Sequence, residues 1–238
     1  IAQSPFVDLM TADYSQIEMR IMAHLSKDAK LLEAFHSGED LHSTVASEVF
    51  GVPRSEVDAE MRRKIKAMSY GLAYGLSSFG LAQQLDLSPT DASELMARYF
   101  ERFGGIQTYL KSVVIEARAK GYTETIMGRR RYLPDLNQDN RQRREIAERM
   151  ALNSPIQGSA ADIIKIAMLN VGKVIAESGV KSRLLLQVHD ELIFDVHQDE
   201  VEIMKNLVLE NMRTALLLPN DVPVECEVGV GQSWLEAH

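Results

Sequence analysis

Arg62-Arg63-Lys64-Ile65-Lys66-Ala67-Met68-Ser69-Tyr70-Gly71-Leu72-Ala73-Tyr74-Gly75 is the stretch from which the rest of the chain can be read. As a helix it sets Arg62, Lys66, Tyr70 and Tyr74 four residues apart, in one slowly drifting stripe. Ile65, Met68 and Leu72 fall on another side and can face a core. The stripe presents two fixed cations and then two rings, and Arg62 to Tyr70 rises about 12 Å at roughly 1.5 Å per residue. A nucleoside triphosphate laid along a helix needs that order: cations for its phosphates, a ring for its base and sugar. A solvated surface helix carries Arg and Lys too, so the stretch alone leaves both readings open.

Composition narrows the surroundings. A chain of 238 residues has room for one large domain or two modest ones. The 45% hydrophobic and 25% charged shares are those of a soluble globular protein. No apolar run is long enough to span a bilayer, and the amino terminus lacks a signal-peptide pattern, so no membrane partner is expected. A single cysteine, Cys226, excludes an internal disulfide and suits a reducing cytoplasm. Its alternation with Glu225 and Glu227 reads as a small core residue on a strand. The net charge of -8 argues against a polyanionic partner, but its distribution argues for one. Acidic residues crowd the chain from Asp190 onward, whereas basic ones gather at Arg62–Lys66, Arg129–Arg131 and Arg141–Arg149. A polyanion binds a local face and not a total.

Outward from the central stretch, Ile1–Ala12 alternates like a strand and runs into Asp13. A helix near Ser15 carries Ile17, Ile21, Met22 and Leu25 on one face. Leu31–His36 and Leu41–Phe50 are short helices stopped by Gly38 and by Gly51 with Pro53. Ser55 or Asp58 can cap the central helix. Ser77–Leu85 follows, then a helix opened by Ser88-Pro89 that runs to about Phe103. A break at Gly104-Gly105 precedes a helix reaching Lys120. Tyr122–Ile126 and Arg131–Leu133 read as a hairpin. A charged helix over 140–152 is expected to be interrupted near Pro155, with a long one over 158–177. Lys181–Val188 and Leu192–His197 are strand-like, Asp199–Leu216 is helical, and Val222–Val228 is a last strand. A strand, a long helical block, then strands with a helix implies an α+β fold: a small sheet with a helical insertion.

His189-Asp190-Glu191 joins two apolar strands, an arrangement that holds carboxylates at a rigid sheet edge. A plain polar hairpin loop is the alternative, yet an ordinary tight turn favours Gly or Asn, and neither is present. Asp13 also sits at a strand end. If the two strands are neighbours, Asp13 and Asp190 converge and can hold a pair of Mg²⁺ ions roughly 3.5–4 Å apart, as used for in-line phosphoryl displacement. Competing motifs are thin: there is no Gly-rich phosphate loop, no Cys/His zinc spacing, and Gly229-Val230-Gly231 is no dinucleotide fingerprint. Ser15-Gln16-Ile17-Glu18 fits a capping box, the preferred reading of Glu18 on sequence physics, although the residue is also near enough to Asp13 to meet a bound sugar. Arg149, Asn153 and Gln157 form a second row at i, i+4, i+8, able to donate to minor-groove acceptors shared by every base pair, or merely to cap and pair on a surface helix.

Three separated segments resemble motifs A, B and C of family A DNA polymerases: Asp13-Tyr14-Ser15-Gln16-Ile17-Glu18-Met19-Arg20, Arg62 to Gly71, and Gln187-Val188-His189-Asp190-Glu191. The resemblance extends to Gly128–Pro134 and Ala151–Asp162, and so to essentially the whole chain. It implies a right-hand architecture with palm at 1–24 and 146–238, helical fingers at 25–145, and the thumb, exonuclease-type domains and first palm strands upstream of Ile1. It implies synthesis of DNA from dNTP on a primer–template in repair and replication, by a monomeric enzyme of the cytoplasm, at the nucleoid. In that frame Asp13 and Asp190 correspond to ligands of two Mg²⁺ ions, with Glu191 supporting. Arg62 and Lys66 match the triphosphate-binding residues, Lys66 with a catalytic part, and His42 resembles a further triphosphate contact. Tyr70 matches the ring packed on the incoming sugar, and Tyr74 the templating position. Glu18 matches the gate against a 2′-hydroxyl, which reverses the capping preference, and Gln16 joins the substrate-binding set. Arg149, Asn153, Gln157 and His189 match primer–template contacts. Many members carry Phe at the Tyr70 position, and Tyr there implies ready incorporation of dideoxynucleotides. Met19, where Leu is more usual, conserves volume. Without the thumb these residues alone are expected to grip duplex poorly and to be inactive. A single-subunit RNA polymerase-like nucleotidyltransferase and a silent nucleic-acid-binding fragment are the rival classes.

Overall fold

β1 (Phe6–Tyr14) lies inside an antiparallel four-stranded sheet, between β5 (Glu191–His197) and β6 (Cys226–Gly231), with β4 (Arg183–Val188) outside β5. This computed structural model describes residues 6–38, 40–220 and 222–238; the part of the opening alternation in 1–5 lies outside them. The chain divides into two compact units, 1–17 with 160–238, and 18–159.

The first unit is built on the sheet. β5 is buried along nearly its whole length, which explains its unbroken Leu192-Ile193-Phe194 run. One face is covered by α9 (Val201–Arg213), whose Met204, Leu207, Val208 and Met212 are buried at helical spacing. Tyr14 sends its hydroxyl to the Met212 carbonyl, 2.7 Å away. Cys226 is a small core residue with its thiol 3.5 Å from the Met212 sulfur. The last strand begins at Cys226, not Val222; Val222 makes only an isolated bridge to Leu218. A short terminal helix, α10 (Trp234–Ala237), was not apparent from the sequence pattern. Gly229 and Gly231 explain its seat: a Cβ on Gly229 would lie 1.7 Å from the Ala237 carbonyl oxygen, and one on Gly231 2.6 Å from Glu236 Cβ.

The second unit is helical. After the start of α1 (Ile17–Ser26) come α2 (Ala29–His36), α3 (Leu41–Phe50) and α4 (Ala59–Ala73). Then follow α5 (Ser78–Leu85), α6 (Pro89–Arg102) and α7 (Gly104–Lys120). Side-chain caps start five of these: Asp28, Asp40, Asp58, Ser77 and Ser88 each accept from the backbone N–H three residues ahead. The hairpin is β2 (Tyr122–Glu124) with β3 (Arg130–Tyr132).

Three local expectations shift or fail for identifiable reasons. The break expected at Gly104-Gly105 falls one residue earlier, at Phe103 between α6 and α7, and the two glycines open α7. The Gly105 N–H donates to Asp28 Oδ2 at 2.9 Å, and a Cβ there would strike the Asp28 backbone. α1 begins at Ile17, and Gln16 holds a left-handed φ of 57°. Ser15 and Glu18 are therefore not spaced as N-cap and N3, and the Ser15 N–H instead donates to the Glu225 carbonyl at 2.9 Å. Finally, α8 runs from Arg141 to Ser178 through Pro155 without interruption. The lost amide bond is outweighed by packing on both sides, with Ala147, Ala151 and Ile156 buried before and after the proline and Ile163, Ile164 and Ala167 further on.

Candidate functional site

In the sheet unit the two candidate ligand acids come from β1 and from the turn leading into its neighbour β5. Asp13 is the Cα partner of Glu191 across β1–β5 and of Glu227 across β1–β6. Residues directly opposite share a sheet face, so three carboxylates form one row. Asp190 is brought in by the turn between β4 and β5, where its carbonyl accepts from the Tyr14 N–H at 3.3 Å. That turn has two residues, and its first, His189, takes a left-handed φ of 54°, a conformation that normally selects glycine. The Gln187 side-chain amide closes it by donating to the His189 carbonyl at 2.7 Å. The connection before α1 is strained in the same way at Gln16.

Asp13 is the electrostatic centre. Burial first, then the Asp190 and Glu191 carboxylates, push its pKa up to about 6, against smaller opposing effects of His238 and the Tyr14 N–H. Its Oδ1 is buried without a hydrogen-bond partner. A buried, unsatisfied carboxylate oxygen beside other carboxylates fits a hard divalent cation, whose charge would replace the missing donors. Among the described residues no group of three or more His, Cys, Asp or Glu is arranged to hold a metal alone. Water or substrate oxygens would complete the shell around one or two carboxylates, as is usual for Mg²⁺. Glu191 is differently placed: it is buried, and its Oε1 accepts from the Trp234 indole at 3.2 Å with His238 Nδ1 at 3.5 Å.

In the helical unit α4 carries the expected stripe. Arg62 is held by Asp40 in a bidentate pair, Nε to Oδ2 at 2.8 Å and Nη2 to Oδ1 at 3.0 Å. The Arg62 bonds, and Ser43 after them, hold the Asp40 carboxyl well below the usual range. Asp40 was not singled out by sequence; its capping position was legible, its partner 22 residues away was not. Lys66 is exposed, and among the described residues no carboxylate lies within salt-bridge reach of it. His42 is buried on α3, its ring 5.9 Å from that of Tyr70 and tilted by 52°. Burial pushes the His42 imidazole down, with Lys66 and Arg62 adding to the effect and Asp40 opposing it, so it is neutral near pH 7. Tyr74 caps the end of α4 and donates to Glu18, 2.8 Å from Oε2 and 3.0 Å from Oε1. Two residues 56 apart in sequence thus meet, and Glu18 does something other than cap a helix.

Gly75, at φ 70°, lets the chain after α4 lie on α8, where an added Cβ would be 3.1 Å from Leu152 and 3.3 Å from the Arg149 Cα. Because α8 is continuous, Arg149, Asn153 and Gln157 keep their common row, and Asn153 Nδ2 donates to Gln157 Oε1 at 2.7 Å. Arg129 donates to the Gly158 carbonyl at 2.9 Å, fastening the basic hairpin beside that row.

Comparison with known proteins gives a consistent picture. The family model for DNA polymerase family A matches residues 1–236. DNA polymerase I of Mycobacterium tuberculosis is 61% identical over 229 residues, 96% of this chain and 25% of the relative. DNA polymerase I of Bacillus subtilis is 48% identical over 229 residues, 96% of this chain and 26% of the relative. The chain thus spans about a quarter of the length of these relatives. The solved POL domain of Pol1 from M. smegmatis, in complex with DNA primer-template and dNTP, superposes with a TM-score of 0.95 at 60% identity, covering 100% of this chain and 41% of that one.

Proposed function

We propose that this chain, which belongs to DNA polymerase family A, carries the palm and fingers chemistry of template-directed DNA synthesis from dNTP. The palm is assigned to 1–24 and 146–238 and the fingers to 25–145; the sheet unit falls within the palm segments, while 18–24 and 146–159 belong to the helical unit. The observation that carries the reading is Asp13, half-buried, with an oxygen lacking any donor. It is paired across the sheet with Glu191 and brought beside Asp190 by the Tyr14 N–H bond to the Asp190 carbonyl.

Asp13 and Asp190 would hold two Mg²⁺ ions, which lower the pKa of an attacking primer 3′-hydroxyl and steady the leaving pyrophosphate. The protein's own groups do the rest. Arg62 can exchange Asp40 for phosphate oxygens without changing its bidentate geometry. Lys66 adds a second charge one helical turn on, and the neutral His42 ring offers a hydrogen bond in place of a third. Tyr70 presents its ring to the sugar. Gln16, in its left-handed turn, lies on the strand-to-helix connection that follows Asp13, and Glu18, anchored by Tyr74, lies in the first turn of α1. Arg149, Asn153, Gln157 and His189 are assigned to the primer–template. A monomeric enzyme acting in the cytoplasm at the nucleoid fits this role, and among the described residues no helix is long and apolar enough to cross a membrane.

The test is Mg²⁺-dependent extension of a primed template by this chain, beside the longer polypeptide and its Asp190→Ala variant. The expected result is extension by the longer polypeptide and loss in the variant. Unchanged extension in the variant would overturn the assignment. The same assay with ddNTP reads Tyr70: ready incorporation is expected, and strong discrimination would refute its role. Preference for rNTP over dNTP would favour an RNA polymerase-like enzyme and remove Glu18 as a gate.

A further inference from the structure

We propose that Trp234 is a positioning residue for the Asp13–Asp190 metal pair, acting through Glu191. The inference rests on the reading that these two acids hold divalent cations. The indole N–H donates to Glu191 Oε1 at 3.2 Å, and Glu191 is the direct cross-strand partner of Asp13. A buried carboxylate needs donors, and an indole offers one, in a rigid ring whose direction is set by the backbone beneath it. That backbone is firmly seated. The Thr11 hydroxyl on β1 donates to the Ala237 carbonyl at 2.7 Å, and the absent side chain at Gly229 leaves the space which that carbonyl fills. Trp234 therefore approaches from a helix clamped to the strand that also carries Asp13. By holding Oε1, it keeps the third carboxylate beside the pair in one orientation, so that Glu191 neither swings onto the cation nor turns away. A partner behind the ligands commonly governs metal affinity in this manner.

Trp234 is the one tryptophan in the chain, so binding and its reporter coincide. The probe is Mn²⁺, titrated into the chain and followed by electron paramagnetic resonance, for wild type, Asp13→Asn, Trp234→Phe, Glu191→Gln and the Trp234→Phe/Glu191→Gln double variant. Trp234→Phe is expected to weaken Mn²⁺ binding about 10-fold at a temperature well below its melting point. It should add nothing further in the Glu191→Gln background, as expected for two residues acting as one unit. Wild-type affinity in Trp234→Phe, or additive effects in the double variant, would overturn the inference while leaving the metal pair intact. If Trp234→Phe does not fold, the wild-type chain decides: Trp234 emission should be quenched by Mn²⁺ at the midpoint of binding, and not in Asp13→Asn. Emission that ignores bound Mn²⁺ overturns it. Equal Mn²⁺ binding by wild type and Asp13→Asn would remove the metal pair itself, and the inference with it.

Discussion

The sheet unit and the helical unit treat their charges in opposite ways. In the sheet unit Asp13 is left with an unsatisfied oxygen among like charges. In the helical unit Asp40 holds Arg62 through a bidentate pair, and Glu18 holds the Tyr74 hydroxyl. The first arrangement stores an electrostatic demand that a cation would meet. The second holds solvent-facing side chains in a defined place. On the proposed function, metal binding should relieve Asp13, whereas a nucleotide on α4 would have to displace contacts already made.

The largest expected effects break the first half of that contrast. In primer extension by the longer polypeptide, Asp13→Asn and Asp190→Ala should each lower the rate by about 10³-fold, or roughly 4 kcal/mol. Yet metal-free Asp13→Asn should melt higher than wild type, by about 1 kcal/mol once partial exposure is allowed for. Calorimetry on the metal-free protein checks this, and a lower melting point would mean Asp13 is not under repulsion. The pH dependence has a definite sign. Because the folded pKa, about 6, lies above the ordinary value of 3.8, the group's contribution is fully present below pH 3.8 and is lost as pH rises through 6. The stability gap between Asp13→Asn and wild type should thus open across that window and stay level above it.

Smaller effects sharpen the second half. Arg62→Lys removes the bidentate fork and should raise KM for dNTP about 10-fold. Asp40→Asn, which can still cap α3, should tighten dNTP binding about threefold by freeing the guanidinium; weaker binding would show that Asp40 orients Arg62 and does not compete for it. Tyr74→Phe, measured by denaturant unfolding, should cost about 1 kcal/mol or less, the net worth of a hydrogen bond on an exposed surface.

What the sequence made legible follows range. The α4 stripe and the cap at Ser88 rest on local periodicity and were readable. The α4 cap was narrowed only to Ser55 or Asp58, which the structure resolves as Asp58. The pairing of Asp13's strand with that of Glu191 entered only as a condition, because the two lie far apart in the chain. Trp234 and Asp40 were not legible, because their significance lies in partners 43 and 22 residues away and no periodicity marks such pairs. Pro155 was misread for the opposite reason. Its local preference is strong, but tertiary packing along α8 is stronger. Glu18 shows how a local motif can mislead: Ser-x-x-Glu looks like a cap, and only the left-handed Gln16 reveals that the helix starts too late for it.

The turn residues Gln16 and His189 have a consequence for anyone redesigning this chain. Both occupy backbone geometry that glycine would adopt at lower cost. A sequence optimised only for thermal robustness would put small residues there and gain by it. Keeping a long amide at one turn and an imidazole at the other means accepting a permanent handicap in folding, so these two positions should be frozen first in any such effort.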